Sequence, residues 1–164
     1  MKHMLVTGAS CLLGLNLALT AAQSGYRVTG WSGRHALVQT PFTAEQVDLT
    51  ELESLPMRIA VLAPDVIIHC AALADIDRAE QHPGLAEKLN AQAPGVIAQA
   101  AKACGAQLVH ISTDAVFDGM RGDYRETDGP NPINTYARTK LAGEAAVAAA
   151  YPEALVARVN FYGW

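Results

Sequence analysis

Short apolar runs rich in β-branched residues recur along the chain with helical stretches between them. No other feature of the 164 residues limits the fold as much. The runs fall at 4–7, 26–30, 47–49, 66–70, 108–112 and 155–159, with Gly8, Gly25 and Pro64 as punctuation. Helical patterns fill 12–24, 51–62, 83–104 and 135–150, the last two Ala-rich. Strands separated by helices must run parallel, because a parallel pair needs a crossover of a dozen residues or more. Apolar runs without strict alternation are those of strands covered on both faces. The expected fold class is α/β, a doubly wound parallel sheet forming one domain over 1–164, a length that supports one sizeable core. There are no internal repeats.

Between the first run and the first helix lies Thr7-Gly8-Ala9-Ser10-Cys11-Leu12-Leu13-Gly14. A strand–turn–helix junction of this kind can rest a pyrophosphate on helix N-terminal amides, as in a dinucleotide-binding Rossmann fold. Gly8 allows the tight turn and Gly14 allows the helix to pack on the strand, with Ser10, Cys11, Leu12 and Leu13 forming the rim. An acid at the end of the second strand would bind the ribose 2′-hydroxyl of NAD, and residues 26–35 contain none. Ser32 and Arg34 stand there instead and suit a 2′-phosphate. The expected cofactor is therefore NADP, as NADPH, with NAD as second choice. Asp48 and Leu49 are placed to border the adenine, and Cys70, Ala71 and Ala72 to put small residues under the cofactor.

Tyr136-Ala137-Arg138-Thr139-Lys140 puts a phenol and an ammonium one helical turn apart on one face. An ammonium so placed is expected to stabilise the phenolate and lower the tyrosine pKa from about 10, leaving it able to pass a proton. Ser112 and Thr113 close a strand upstream. Alone, the pair has the spacing of any exposed helix pair. Joined to the glycine turn, it reads as a nicotinamide-dependent oxidoreductase.

Other classes fall away. A net charge of −4 and an isoelectric point near 5.7 do not suit a nucleic-acid partner. No apolar run reaches the roughly 18–20 residues of a membrane span. The N-terminus runs straight into a strand, leaving no room for a signal peptide. The three cysteines, Cys11, Cys70 and Cys104, lack zinc-ligand spacing, as do the five histidines, so no metal is expected. Unpaired thiols and no leader fit the cytoplasm. The Ala-rich tracts at 98–103 and 145–150 suit either a homodimer face, through helices 83–104 and 135–150, or ordinary packing on the sheet. The chain stops at 161–164 just after a strand, where a helix or second domain is expected to follow.

The ordered motifs Thr7-Gly8-Ala9-Ser10, His69-Cys70-Ala71-Ala72, Asn90, Ser112-Thr113-Asp114-Ala115-Val116-Phe117-Asp118-Gly119, Asn131-Pro132 and Tyr136 to Glu144 carry a family likeness. The chain resembles the extended short-chain dehydrogenase/reductases, and within them the dTDP-4-dehydrorhamnose reductase branch. The resemblance covers essentially the whole chain. It implies that Tyr136 donates a proton to a carbonyl oxygen as NADPH delivers hydride, and that Lys140 holds the nicotinamide ribose. It implies further that Thr113 hydrogen-bonds the substrate oxygen with Ser112 in support, that Asn90 helps fix its helix and a water linked to the lysine, and that Asn90 and Ser112 count with Tyr136 and Lys140 among the cofactor-binding residues. Strand-end capping by Ser112 and Thr113, and a solvent-facing Asn90, are the plainer readings. Cys11 stands where the family carries a glycine. Ala115 stands where the superfamily's dehydratases carry a glutamate, which leaves reduction or epimerisation. The implied function is an NADP-dependent reductase of a keto sugar nucleotide, with a C-terminal substrate domain lying outside this chain. The alternatives are a sugar-nucleotide epimerase and a non-catalytic regulatory subunit of the same fold.

Overall fold

A computed structural model describes residues 1–161, so the expected break at 161–164 lies almost wholly outside the described residues. Six parallel strands form one sheet in the order β3-β2-β1-β4-β5-β6: β1 (His3–Thr7), β2 (Arg27–Ser32), β3 (Thr43–Gln46), β4 (Val66–His69), β5 (Gln107–Thr113) and β6 (Leu155–Val159). That order reverses between β1 and β4, and the crevice at the reversal is where such sheets bind ligands. The helices are α1 (Leu12–Gln23), α2 (Leu55–Leu62), α3 (Ile76–Gln81), α4 (Pro83–Glu87), α5 (Ala93–Cys104) and α6 (Thr135–Ala150). On one face of the sheet, Leu5, Trp31, Ile67 and Leu108 pack with Leu55, Ile59, Ile97 and Val147 from α2, α5 and α6. On the other, Val6 and Val28 pack with Ala18 and Ala21 of α1. Both faces are covered, as the uninterrupted apolar runs require.

Register places Trp31, Thr7, His69 and His110 side by side across β2, β1, β4 and β5. Side chains alternate along a strand, so this row shares the face of Leu5, Ile67 and Leu108, two residues away. The row sits where the sheet's apolar core gives way to its C-terminal edge.

Several expected elements shift. The third strand is Thr43–Gln46, not 47–49. It is a polar edge strand, while the apolar Val47 and Leu49 just beyond it are buried in the core, and Asp48 turns the chain by accepting hydrogen bonds from Thr50 N and Oγ1 at 2.8 Å each. The expected helix at 83–104 is three pieces: α4, a π-helical turn over Lys88–Gln92, and α5. Pro94 causes the break. It lacks the N–H that would bond to the Asn90 carbonyl, and its ring would crowd that oxygen. α3 escapes a periodicity reading because it is short and polar; Asp75 caps it by accepting from Arg78 N at 2.9 Å. α5 and α6 pack closely on each other, a Cβ added to Gly95 of α5 lying 3.1 Å from Ala146 Cβ of α6, while Ala103, Ala145, Ala148 and Ala149 of the Ala-rich tracts stay exposed.

Candidate active site at the C-terminal edge of the sheet

The glycine turn is shaped by its neighbours. Gly8 has φ +69°, and a Cβ there would lie 2.8 Å from Ala71 N; a Cβ on Gly14 would lie 2.2 Å from Gly8 O. Cys11 sits at φ −91°, ψ 165°, an extended conformation open to any residue, so the backbone does not demand glycine there. Its side chain is exposed, on the rim. No side chain caps α1 and no acid stands in its first turn, so the amides of Leu12 and Leu13 are left for an anion. Glycine at 8 lets the turn close against Ala71, glycine at 14 lets α1 lie on the turn, and the free amides of the resulting cradle fit the pyrophosphate of a dinucleotide. Gly30 contributes too: a Cβ on it would meet Ala9 Cβ at 2.8 Å, so β2 lets the turn pass close over it.

Around the cradle, Ala71 N donates to Thr7 Oγ1 at 3.3 Å, holding Cys70, Ala71 and Ala72 against the turn. Arg34 is exposed past the end of β2, and its carbonyl accepts from Gln46 Nε2 at 3.2 Å. Ser32 departs from expectation, since it is buried and its hydroxyl faces the Glu45 carbonyl at 3.5 Å. Leu49 departs as well: its side chain belongs to the core, and only Asp48 is exposed.

The α6 residues meet the end of β5. Asn134 caps α6 by accepting from Ala137 N at 2.8 Å, and Glu80 of α3 accepts from Thr135 N and Oγ1 at 2.6 and 2.7 Å. Tyr136 is half-buried. Burial, against a hydrogen bond with Thr113 and together with the charge of Asp114, holds its phenol above the ordinary pKa. This corrects the expectation of a lowered phenol. The ammonium of Lys140 is not spent on Tyr136; it donates to the Ile111 carbonyl of β5 at 2.7 Å. Burial brings Lys140 down to about 8, with Glu144 and Cys70 pulling the other way. Thr113 accepts from Ala115 N at 3.2 Å, the strand-end capping read as the plainer alternative, and it stands beside Tyr136 as well.

Asn90 is fully buried and its amide is fully engaged. Its oxygen accepts from Leu73 N at 2.8 Å, and its nitrogen donates to Leu73 O and Thr139 Oγ1, both at 3.1 Å. It therefore ties the segment after β4 to α6, and its side chain is not available to a cofactor, contrary to its expected place among the cofactor ligands. Gly143 of α6 lies on the Asn90 carbonyl, where a Cβ would come within 2.1 Å.

Two groups were not foreseen as part of the site. Glu144 accepts from Ser112 Oγ at 2.5 Å and takes a bidentate pair from Arg158 of β6, at 2.7 Å at its closest. Glu144 ends the Tyr136–Glu144 motif, but nothing along the sequence links it to Ser112 or Arg158. The stacked rings of His69 and His110, with centroids 5.2 Å apart, lie behind Lys140. Beside Thr113 a cavity of about 290 Å³ opens between Asp114, Phe117, Asp118, Arg121 and Tyr124. Phe117 and Tyr124 stack there at 4.5 Å, Tyr124 is hydrogen-bonded to Asp118, and Arg121 lies over the Tyr124 ring.

Residues 1–163 match the RmlD substrate binding domain family. The β subunit of methionine adenosyltransferase 2 from Bos taurus is 42% identical over 89% of this chain and 42% of its own length. The dTDP-4-dehydrorhamnose reductase of Mycolicibacterium smegmatis is 40% identical over 96% of this chain and 45% of its own. The crystal structure of dTDP-4-dehydrorhamnose reductase from Bacillus anthracis in complex with NADP superposes with a TM-score of 0.82 at 32% identity, covering 96% of this chain and 53% of that one. The chain thus spans less than half the length of these curated relatives.

Proposed function

The chain belongs to the RmlD substrate binding domain family, and from that premise we propose that it is the cofactor-binding and catalytic part of an NADPH-dependent reductase of a keto sugar nucleotide, close to dTDP-4-dehydrorhamnose. The observation that carries this reading is the gathering of the Gly8–Gly14 cradle with Thr113, Tyr136 and Lys140 at the ends of β1, β5 and the start of α6. NADP is preferred because Arg34 is the exposed cation past β2 and no acid stands there for a 2′-hydroxyl; NAD is the second choice. The relatives' greater length supports a further segment that completes the sugar-nucleotide pocket.

When bound, the nicotinamide supplies the hydride. Tyr136 gives the proton to the substrate's carbonyl oxygen, and a phenol held above its ordinary value is protonated at neutral pH, the state a donor needs. Thr113 hydrogen-bonds the same oxygen. Lys140 holds the ribose, its position set from below by the Ile111 carbonyl. Ser112 keeps the strand end in register with α6 through Glu144. The exposed cavity beside Thr113, with its aromatic pair and Arg121, accommodates part of the sugar nucleotide.

The full-length protein should oxidise NADPH in the presence of a keto sugar nucleotide, and Tyr136→Phe should lower kcat by about 10²- to 10⁴-fold. Near-normal turnover in that variant would refute the acid assignment. A second reading, a regulatory subunit, is favoured by the 42% identity to the bovine β subunit. It requires stoichiometric co-purification with a methionine adenosyltransferase and no turnover of NADPH.

A further inference from the structure

Behind the proposed site, the row Thr7–His69–His110 puts three polar side chains in an otherwise apolar layer. His69 is 1% exposed and His110 is 0% exposed. The Thr7 hydroxyl and His69 Nδ1 share a hydrogen bond of 2.6 Å, and the two rings stack with an interplanar angle of 24°. Among the described residues, His69 Nε2 and both ring nitrogens of His110 have no hydrogen-bond partner. Burying such groups is costly unless something satisfies them. Across from them, the buried Lys140 ammonium carries three N–H donors, and the Ile111 carbonyl takes one. Ile111 follows His110 directly, and Leu108, His110 and Ser112 alternate onto one face of β5, where Ser112 already reaches Glu144 of α6 one turn beyond Lys140.

We propose that His110, held by its stack on His69, is a positioning residue for Lys140: its acceptor nitrogen takes, through one internal water, an N–H that Ile111 leaves over. A site with spare donors on one side and spare acceptors on the other is one in which a buried water finds its two to four partners. Thr7 immediately precedes Gly8, so the row links the dinucleotide cradle to the lysine. The charged and titratable groups facing Lys140 are Glu144 and Tyr136 on α6, Cys70 after β4, His69 on β4 and His110 on β5. Their own burial first, and then the charge of Lys140, keep the two imidazoles neutral, so the acceptor persists across the neutral range. This inference rests on the reading of Lys140 as part of the cofactor site, but its test does not depend on turnover.

The test is a nuclear magnetic resonance titration of the full-length protein from pH 6.5 to 10, following the imidazole ¹⁵N shifts and the lysine ¹³Cε shifts together. Residues 1–164 contain the lysines Lys2, Lys88, Lys102 and Lys140, and Lys140→Met assigns the signal of interest. The expected result is that the His110 nitrogens inflect at the same midpoint as Lys140, near 8, and lose that inflection in Lys140→Met. His110→Leu should drop the Lys140 midpoint by about one pH unit, a tenfold change, and His110→Gln, which keeps an acceptor, should restore most of it. Ring shifts that stay flat while Lys140 titrates, or that inflect equally in Lys140→Met, would overturn the proposal. The wild-type titration decides the matter even if His110→Leu does not fold. Intact coupling without NADPH turnover would count against the reductase reading alone.

Discussion

In the proposed reading Arg34 carries the cofactor preference on one exposed guanidinium, and Ser32, its expected helper, is turned into the sheet. The preference is therefore sensitive to a single substitution. Arg34→Ala should weaken NADPH binding about tenfold or more, the scale of one charge-assisted hydrogen bond, and leave NADH binding unchanged in a fluorescence titration. Equal loss for both would place Arg34 elsewhere. At Cys11 the backbone is extended and by itself asks for no glycine, whereas Gly8 and Gly14 are fixed by backbone atoms within 3 Å of any added Cβ. Tyr136 makes the opposite point. Its spacing to Lys140 is readable, but the direction of its pKa comes from burial and Asp114, and neither follows from a four-residue interval.

Among the elements, the π-helical turn at Lys88–Gln92 and α6 are keyed to each other. Pro94 releases the Asn90 carbonyl from helix bonding, Gly143 accepts that carbonyl against its bare Cα, and the Asn90 amide bridges Leu73 and Thr139. One glycine thus sets the depth at which α6 lies, and with it the place of Lys140. Gly143→Ala should destabilise the protein by about 3 kcal/mol, the upper range for overpacking, read from urea unfolding. It should also weaken NADPH binding, because the lysine moves with its helix. Wild-type stability in that variant would mean that α6 shifts at no cost, and the keying would fail.

For the whole molecule, the buried histidines set the response to acid. His69 is lowered to about 3 and His110 to about 2, by burial first and then by the charge of Lys140, with His69 adding to it for His110, against 6.5 in an unfolded chain. Below pH 6.5 the unfolded chain binds protons that the fold refuses, so stability is full above 6.5 and falls as pH drops toward 3. Each group contributes about 1.4 kcal/mol per pH unit. Two of them should remove about 3–4 kcal/mol between pH 7 and 5, and His3, also lowered, acts in the same direction. Urea midpoints measured across that range check this. A flat profile would mean that the rings charge inside the fold. Among the described residues, no helix is long and apolar enough to cross a membrane.

The sequence by itself determined the parallel sheet, the cradle and the Tyr136–Lys140 pair, because strand and helix periodicity, glycine at a strand–helix junction and a four-residue interval are all local quantities. It did not yield β3, whose polar edge-strand residues give no alternating signal, or the break at Lys88–Gln92, which takes its shape from Pro94 and from a helix fifty residues away. Only the tertiary structure decided which polar groups meet. Glu144 with Ser112 and Arg158, Asn90 with Leu73 and Thr139, and His69 against His110 join residues from separate elements through sheet register and helix depth. Burial, which exists only once the chain is packed, then sets the direction in which their protons move.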